Sequence, residues 1–183
     1  MPPKQRITRE MILERSFAMF CREGMEAVNA RSVAKALNCS TQPIFSYFEG
    51  MEDLRSAIEQ KAKDTFAQVM ESASAEGSFL ASGTAYIRLA SEQPRLFARL
   101  LLSVSETEPV TLVAVGVEEK LKGALSSQYG LDAQQTDALY RDLWTYVHGL
   151  ASLVAAGRLA FDEQAIAERM TFVCDAMAQK VKG

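Results

Sequence analysis

Apolar residues recur at spacings of three and four along almost the whole chain, and this periodicity is the feature that most restricts its fold. The recurrence begins early, with Leu13, Phe17 and Phe20, and it continues through the segments that follow. Such spacing places apolar side chains on one face of an α-helix, whereas a half-buried strand requires strict alternation. The chain is therefore predicted to be all-α, with about nine helices and no strand.

Residues that favour caps and turns divide the first part of the chain into short helices. Gly24 is expected to end the first helix in the left-handed conformation, and Asn29 is expected to cap the second at its N-terminus. Asn38 suits the tight turn that follows, because asparagine tolerates left-handed geometry better than most residues. Ser40 or Thr41 is then expected to cap the third helix.

The best domain boundary lies near residue 50, where short helices give way to long ones. We predict an N-terminal three-helix helix-turn-helix domain over 1–50 and a larger C-terminal helical bundle over 51–183. Charge follows the same division, because residues 1–50 carry seven Lys and Arg against five Asp and Glu, while the remainder carries thirteen against eighteen. This asymmetry favours an N-terminal domain that alone meets a polyanion.

Composition excludes several classes of protein. Hydrophobic residues make up 48% and charged residues 23%, which is typical of a globular protein and not of a disordered one. The longest apolar stretches, such as Val110 to Val117, are far short of a bilayer span, and no signal peptide is visible, so we expect a cytoplasmic protein with no membrane partner. Three scattered cysteines and one histidine provide no metal-ligand spacing. Since phosphate loops and nucleophile elbows are also absent from the sequence, we expect neither a cofactor nor enzyme activity.

Residues 29–48 have the layout of a helix-turn-helix motif, in which a three-residue turn joins two short helices. Ile44 and Phe48 are spaced to face the interior, which leaves the polar side of the second helix outside. The second helix of such a motif presents its N-terminal residues to base edges in the major groove of DNA. Gln42 is suited to pair with adenine there, and the methyl group of Thr41 to contact that of thymine.

Other residues near this helix suit the DNA backbone. Tyr47 and the backbone amides near Ser40 are placed to bind phosphate, because helix N-termini attract anions. Lys4, Arg6 and Arg9 are within reach of the flanking backbone or a minor groove. The alternative interpretation is a plain three-helix core with a polar face. The predicted DNA-binding residues are Arg31, Ser40, Thr41, Gln42, Pro43, Phe45, Ser46, Tyr47, Lys4 and Arg6.

A longer set of residues, spread over positions 9–58, occurs in a characteristic order and spacing. The set comprises Ile12-Leu13, Phe17, Phe20, Gly24, Val33-Ala34, Leu37, Ser40, Pro43-Ile44-Phe45-Ser46-Tyr47-Phe48 and Glu52-Asp53-Leu54. This stretch resembles the N-terminal DNA-binding domain of the TetR family of transcriptional regulators. The all-helical remainder also looks like the family's ligand-binding and dimerisation domain, and Trp144 followed by His148-Gly149-Leu150-Ala151 is similar to a pattern in a subset of such domains.

Two positions depart from the family's usual pattern. Phe45 stands where the family usually has a tyrosine that touches phosphate, and Met51 replaces a common lysine at the start of the fourth helix. Both differences remove phosphate contacts. Tyr47 occupies a position that often contacts the backbone and offers partial compensation, so the resemblance leaves open whether operator binding is as tight and as resistant to salt as is usual for the family.

The resemblance also implies a mechanism. Family members are homodimers that bind a pseudo-palindromic operator, usually to repress transcription, and a small molecule in the C-terminal domain releases the DNA by changing the separation of the two recognition helices. The long helix predicted at about 52–75 would be the lever. Two alternatives remain open: a DNA-binding adaptor for another partner without a small ligand, and a helical scaffold that binds no DNA.

Two sets of C-terminal residues are assigned by this resemblance and by helical spacing. The predicted ligand pocket consists of Phe66, Met70, Tyr86, Phe97, Leu101, Trp144 and His148, which include few charges and so favour an apolar or weakly polar ligand. The predicted dimer interface consists of Leu139, Leu143, Val147, Leu150, Val154, Ile166, Met170, Val173 and Met177, on the last two long helices. For both sets the alternative is ordinary packing within one subunit.

Overall fold

The structure, a computed structural model, describes residues 7–75, 77–102 and 115–182. Within these ranges the chain forms nine α-helices and no strand, which confirms the all-α prediction. The helices are α1 (Arg9–Glu23), α2 (Ala30–Ala36), α3 (Gln42–Tyr47), α4 (Met51–Ser74), α5 (Phe79–Glu92), α6 (Pro94–Phe97), α7 (Val115–Tyr129), α8 (Ala133–Ala155) and α9 (Glu163–Lys182). Two of the predicted DNA contacts, Lys4 and Arg6, lie outside the described residues.

The chain divides into two compact units, Met1–Asp64 and Thr65–Gly183. This division differs from the predicted boundary at residue 50, because the first half of α4 belongs to the first unit and the second half to the other. Leu54, Ile58 and Ala62 lie on the first half of α4 at spacings of four, and all three are fully buried. Position 50 is therefore the point where a helix begins, and the first unit continues beyond it.

The first unit closes around a small apolar core. Its largest fully buried side chains are Ile12, Phe20, Ile44, Phe48, Leu54 and Ile58. Lys61 joins α4 to α1, since its Nζ lies 2.6 Å from Oε1 of Glu14 and 5.3 Å from the ring centre of Phe17. The half-exposed position of this ion pair means that it orients the two helices more than it stabilises them.

The ends of α1 and α2 follow the predicted capping residues with one difference in conformation. Gly24 ends α1 and donates its N–H to the Phe20 carbonyl, but its φ of 94° and ψ of 170° lie outside the left-handed helical region that the sequence predicts. Glycine alone enters this region readily. Asn29 caps α2 and forms a reciprocal capping box with Ser32, and Asn38 has a φ of 52° in the turn after α2.

In the second unit α5 packs against α8 and α9, and α7 also packs against α8. The largest buried side chains of this core include Phe79, Tyr86, Ile87, Phe97, Leu121, Leu143 and Trp144. Gly83 on α5 lies close to α8 and α9, because a Cβ at this position would overlap Cε of Met170 and lie 3.3 Å from Cγ2 of Val147. The absence of a side chain at residue 83 therefore allows three helices to meet.

The residues predicted to form a dimer interface pack against the core of the second unit in the single chain. Two of them, Val173 and Met177, are half-buried against this core. The other seven are buried within the single chain: Leu139, Leu143, Val147, Leu150, Val154, Ile166 and Met170. A side chain already excluded from water gains little from burial by a partner. Helical spacing identifies an apolar face, but it does not reveal whether the same subunit covers that face.

None of the helices in the described ranges combines the length and apolar character that crossing a membrane requires. The same residues contain no group of three or more His, Cys, Asp or Glu side chains placed to hold a metal ion.

We predict that Gly83→Val lowers the free energy of unfolding by about 1–3 kcal/mol, because the new side chain overlaps Met170 and Val147. Urea denaturation would measure this change. The matched control is Gly123→Val on α7, where a Cβ meets nothing within 4 Å. Equal destabilisation of the two variants would contradict the close approach at Gly83.

Candidate nucleic-acid interface and ligand cavities

The two sides of α3 have opposite environments. Ile44 and Phe48 are buried in the core of the first unit. Gln42, Phe45 and Ser46 share one exposed face at helical spacing, and 52% of the Phe45 surface remains accessible. The helix is therefore anchored on one side and open on the other.

The remaining predicted DNA-binding residues of the described chain lie close to this face or on α2. Ser40 and Tyr47 are exposed, whereas Thr41 and Pro43 are half-buried. Arg31 is exposed in the first turn of α2. The structure thus leaves these side chains accessible, with Thr41 and Pro43 less accessible than the others.

The N-terminus of α3 differs from the capping prediction. Thr41 occupies the N-cap position, but its backbone is already helical, at φ −74° and ψ −16°, and its side chain makes no capping hydrogen bond. A side-chain cap usually requires an extended N-cap residue, as at Asn29. Ser46 also uses its hydroxyl proton within the helix, since Oγ donates to the Gln42 carbonyl at 3.0 Å. The Ser46 oxygen keeps lone pairs that accept hydrogen bonds from outside.

Contacts from α1 fix the end of α2, and through it the turn that leads to α3. Arg15 donates from Nε and Nη2 to the Ala36 carbonyl at 3.2 and 3.0 Å, which satisfies a carbonyl at the end of α2. The Cys39 amide donates to the Ala34 carbonyl at 3.0 Å across the turn formed by Asn38. These bonds set the direction in which the chain enters α3.

Tyr47 makes a contact that the sequence does not indicate. Its hydroxyl donates to the backbone carbonyl of Ile7 at 3.3 Å, across 40 positions of sequence. The neighbouring Phe48 ring lies 4.7 Å from the guanidinium carbon of Arg9. The segment that leads into α1 is therefore held against the end of α3, and two side chains predicted to bind the DNA backbone, Tyr47 and Arg9, have partners within the protein.

The predicted pocket residues come together in the second unit around the ring of Tyr86. The ring centres of Trp144, Phe97 and Phe66 lie 5.1, 5.3 and 6.0 Å from that of Tyr86, all in edge-on orientations. Met70 is buried in the same core, and Leu101 packs against it. The sequence prediction therefore identified residues that are neighbours in space.

One polar pair lies within this aromatic cluster. The Tyr86 hydroxyl and Nδ1 of His148 are 2.8 Å apart, in a hydrogen bond whose direction depends on the imidazole tautomer. Burial raises the pKa of the Tyr86 hydroxyl and lowers the pKa of His148 below its usual 6.5. Both groups are therefore neutral near pH 7, and the pair gives a largely apolar cluster one polar point.

A cavity lies between the C-terminal half of α4, α5 and the first turns of α9. It has a volume of about 840 Å³, and none of the seven predicted pocket residues lines it. Its walls combine small apolar side chains, such as Ala81 and Ala85, with the polar groups of Gln68 and Thr84. Arg88 and Glu163 form an ion pair with each other among the lining residues. Sequence analysis missed this groove because alanines in helices give no signal that distinguishes a groove from a packed surface.

We predict that the stability of the protein declines as the pH falls below 6.5, by at most about 1.4 kcal/mol per pH unit. The folded state keeps His148 neutral, whereas the unfolded chain binds the proton at the usual pKa of 6.5. Because the chain has a single histidine, His148→Gln should flatten this part of the profile. Urea unfolding of both proteins across this range measures the effect, and parallel profiles would exclude His148 as the cause.

Comparisons with known proteins agree with this architecture. Residues 79–177, more than half of the chain, match the family described as "Tetracyclin repressor-like, C-terminal domain". The uncharacterized HTH-type transcriptional regulator Rv0681 of Mycobacterium tuberculosis is 25% identical over 159 residues, which are 83% of this chain and 72% of the relative. The uncharacterized HTH-type transcriptional regulator YobS of Bacillus subtilis is 25% identical over 179 residues, which are 94% of this chain and 91% of the relative. With a family match over most of the second unit and a helix-turn-helix in the first, the chain belongs to the TetR family of transcriptional regulators.

Proposed function

We propose that this DNA-binding regulator is a repressor that binds a pseudo-palindromic operator as a homodimer and is released by a small apolar or weakly polar ligand. The observation that carries the proposal is the two-sided character of α3. Ile44 and Phe48 anchor the helix, while Gln42, Phe45 and Ser46 face solvent. Reading of base edges requires both rigid support and an accessible face.

Each exposed residue of α3 has a role in this proposal. The Gln42 amide pairs bidentately with adenine, and the oxygen of Ser46 accepts a hydrogen bond from a base amino group. Phe45 has no hydroxyl for phosphate, and its exposed ring contacts a thymine methyl group instead. Arg31 and the backbone near Ser40 bind phosphates and set the register on the duplex.

The proposed dimer uses the exposed faces of α8 and α9, since their inner faces are occupied by the subunit core. Phe172 on α9 is 73% exposed and Leu153 on α8 is 49% exposed, which are large values for apolar side chains on a packed unit. Gly149 lies one turn before Leu153 and is also exposed. Large apolar side chains beside a glycine suit close packing of helices from two subunits.

The proposed ligand binds in the second unit. The cluster around Tyr86 has aromatic surface and one polar pair, and the groove along α4 has the volume of a typical small-molecule site. Arg88 and Glu163 already neutralise each other in the groove, so an uncharged ligand displaces neither. Since α4 lines the groove and continues into the first unit, a ligand that shifts this helix also alters DNA binding, and DNA weakens ligand binding by the same factor.

Selection of bound duplexes from random DNA tests the proposal as a whole. We expect the selected sequences to contain two inverted half-sites about 10 base pairs apart, or a multiple of this spacing. Repeating the selection with small-molecule extracts should lower recovery if a ligand releases the DNA. Selected duplexes whose recovery is insensitive to every extract would favour the adaptor without a ligand, and no salt-dependent binding to any duplex would favour the helical scaffold.

We predict that Gln42→Ala reduces discrimination between the selected operator and an operator changed at one half-site by about 1–3 kcal/mol, with little change in affinity for random DNA. The reason is that the amide reads a base and does not neutralise phosphate. Fluorescence anisotropy on the three duplexes provides the measurement. Gln60→Ala, which removes an exposed glutamine from α4, is the matched control. An equal loss on all duplexes would contradict direct readout.

We predict that Phe172→Asp shifts the protein from dimer to monomer at micromolar concentration, because a charge replaces the most exposed large apolar side chain among the described residues. Sedimentation velocity measures the shift. Phe45→Asp is the control, since it introduces the same change at an exposed phenylalanine of the first unit and should leave the dimer intact. A dimeric Phe172→Asp protein would remove α9 from the interface.

A further inference from the structure

Arg9 and Tyr47 both have partners within the first unit, but their contacts leave different groups available. The Tyr47 hydroxyl carries one proton, which it donates to the Ile7 carbonyl at 3.3 Å. The guanidinium carbon of Arg9 lies over the Phe48 ring, 4.7 Å from its centre. This contact is an attraction between a cation and the face of a ring, and it uses none of the five N–H donors of the guanidinium in a hydrogen bond. Arg9 therefore keeps donors for an acceptor outside the protein, whereas Tyr47 does not.

The charge of Arg9 has no carboxylate partner among the described residues. Glu10 and Glu49 flank the contact in sequence and are exposed, yet neither forms an ion pair with Arg9. Arg9 also begins α1, where the partial positive charge of a helix N-terminus opposes a cation. This placement favours an anion from outside the chain. Three other cations of the first unit do have carboxylate partners, Arg22 with Glu23, Arg55 with Glu52 and Lys61 with Glu14.

Phe48 gives this guanidinium a fixed support. Its ring is buried in the core of the first unit, while Arg9 is exposed. Phe48 is also the C-cap residue of α3 and directly follows Tyr47. An exposed arginine samples many rotamers and loses this freedom when it binds a partner, but a guanidinium already held over a ring loses less. The donors of Arg9 are therefore preorganised at one end of α3.

The place of the contact along α3 suits a phosphate better than a base. A recognition helix presents its N-terminal residues to base edges, in a major groove about 12 Å wide that phosphates border on both sides. Six residues of helix span about 9 Å, and Phe48, which holds the guanidinium, lies at the C-terminal end of α3. That end of a helix reading bases from its N-terminus lies toward the border of the groove.

We propose that Arg9 binds a DNA phosphate beside α3 and that Phe48 is the positioning residue that holds its guanidinium there. This inference rests on the proposed function, since it requires that α3 enters the groove of a duplex. The planar fork of the guanidinium matches two phosphate oxygens with parallel hydrogen bonds. A lysine carries the same charge but has neither this fork nor the flat group that lies over a ring. The identity of both residues therefore matters in addition to the charge.

The salt dependence of DNA binding tests the phosphate contact. Fluorescence anisotropy on the full chain would measure affinity for the selected operator and for a random duplex at several salt concentrations. We expect Arg9→Gln to lower the slope of log affinity against log salt by about 0.9, and to weaken binding to both duplexes by about five- to tenfold at 0.1 M salt. Arg9→Lys should keep the slope and weaken binding by about two- to fivefold, because the charge remains while its support is lost.

Arg158→Gln is the matched control. It removes an exposed arginine of the second unit and changes the net charge by the same amount. We expect it to leave the slope unchanged.

A double-mutant cycle tests the role of Phe48. In the wild-type background we expect Phe48→Leu to weaken binding to both duplexes by about two- to fivefold, since leucine fills apolar volume but offers no ring. In the Arg9→Gln background the same substitution should have almost no effect on affinity. Thermal unfolding of each variant identifies any loss of fold. If Phe48→Leu does not fold, Arg9→Lys still tests the support, because it leaves the core intact.

Four outcomes would overturn the inference. An unchanged slope for Arg9→Gln would exclude a phosphate contact, and an equal decrease for Arg158→Gln would assign the effect to net charge. A loss confined to the selected operator would assign Arg9 to a base. Equal effects of Phe48→Leu in both backgrounds, or an Arg9→Lys protein that binds like the wild type, would remove the positioning role. If the wild-type protein itself shows no salt-dependent affinity for duplex DNA, the proposed function fails instead.

Discussion

The burial of Ile44 and Phe48 is the interaction on which the DNA-facing side of the first unit depends. An isolated helix shorter than about 12 residues is marginal in water, and α3 has six. Its exposed residues have a defined orientation only because two buried side chains and the turn at Asn38 hold the backbone. Arg15, which caps the end of α2, extends this dependence to α1. The exposed face is thus a property of the unit, and α3 alone would not maintain it.

In the second unit, a polar atom buried within a largely aromatic cluster needs a hydrogen-bond partner. Tyr86 is fully buried, yet its hydroxyl has a partner in His148. The pair keeps the ring in the cluster without an unsatisfied hydroxyl, at the expense of a histidine whose pKa is lowered by burial. A molecule that competed for the Tyr86 hydroxyl would break the hydrogen bond to His148 and would also disturb a ring that packs against Phe66, Phe97 and Trp144.

Local signals in the sequence, such as capping and turn residues, predict much of the fold. The sequence contains no comparable signal for contacts between residues that lie far apart along the chain. Asn29 and Asn38 occupy the cap and turn positions that their side chains favour, because these preferences depend on a few neighbouring residues. The apolar stripe through Leu139 and Val147 is a correct helical face, but its spacing gives no information about which surface covers it. The contact between Tyr47 and Ile7 depends on the tertiary fold, and no pattern of residue types indicates it. The predicted pocket residues do meet around Tyr86, since large apolar side chains on core helices converge in most helical bundles.

The single tryptophan of the chain lies in the second unit, against the rings of Phe79 and Tyr86. Its intrinsic fluorescence therefore reports on the surroundings of α5 and α8, and unfolding of the first unit alone would leave its emission largely unchanged. Circular dichroism, in contrast, senses the helices of both units. Any difference between transitions followed by the two spectroscopic signals would reveal that the units melt separately and that the protein departs from two-state behaviour.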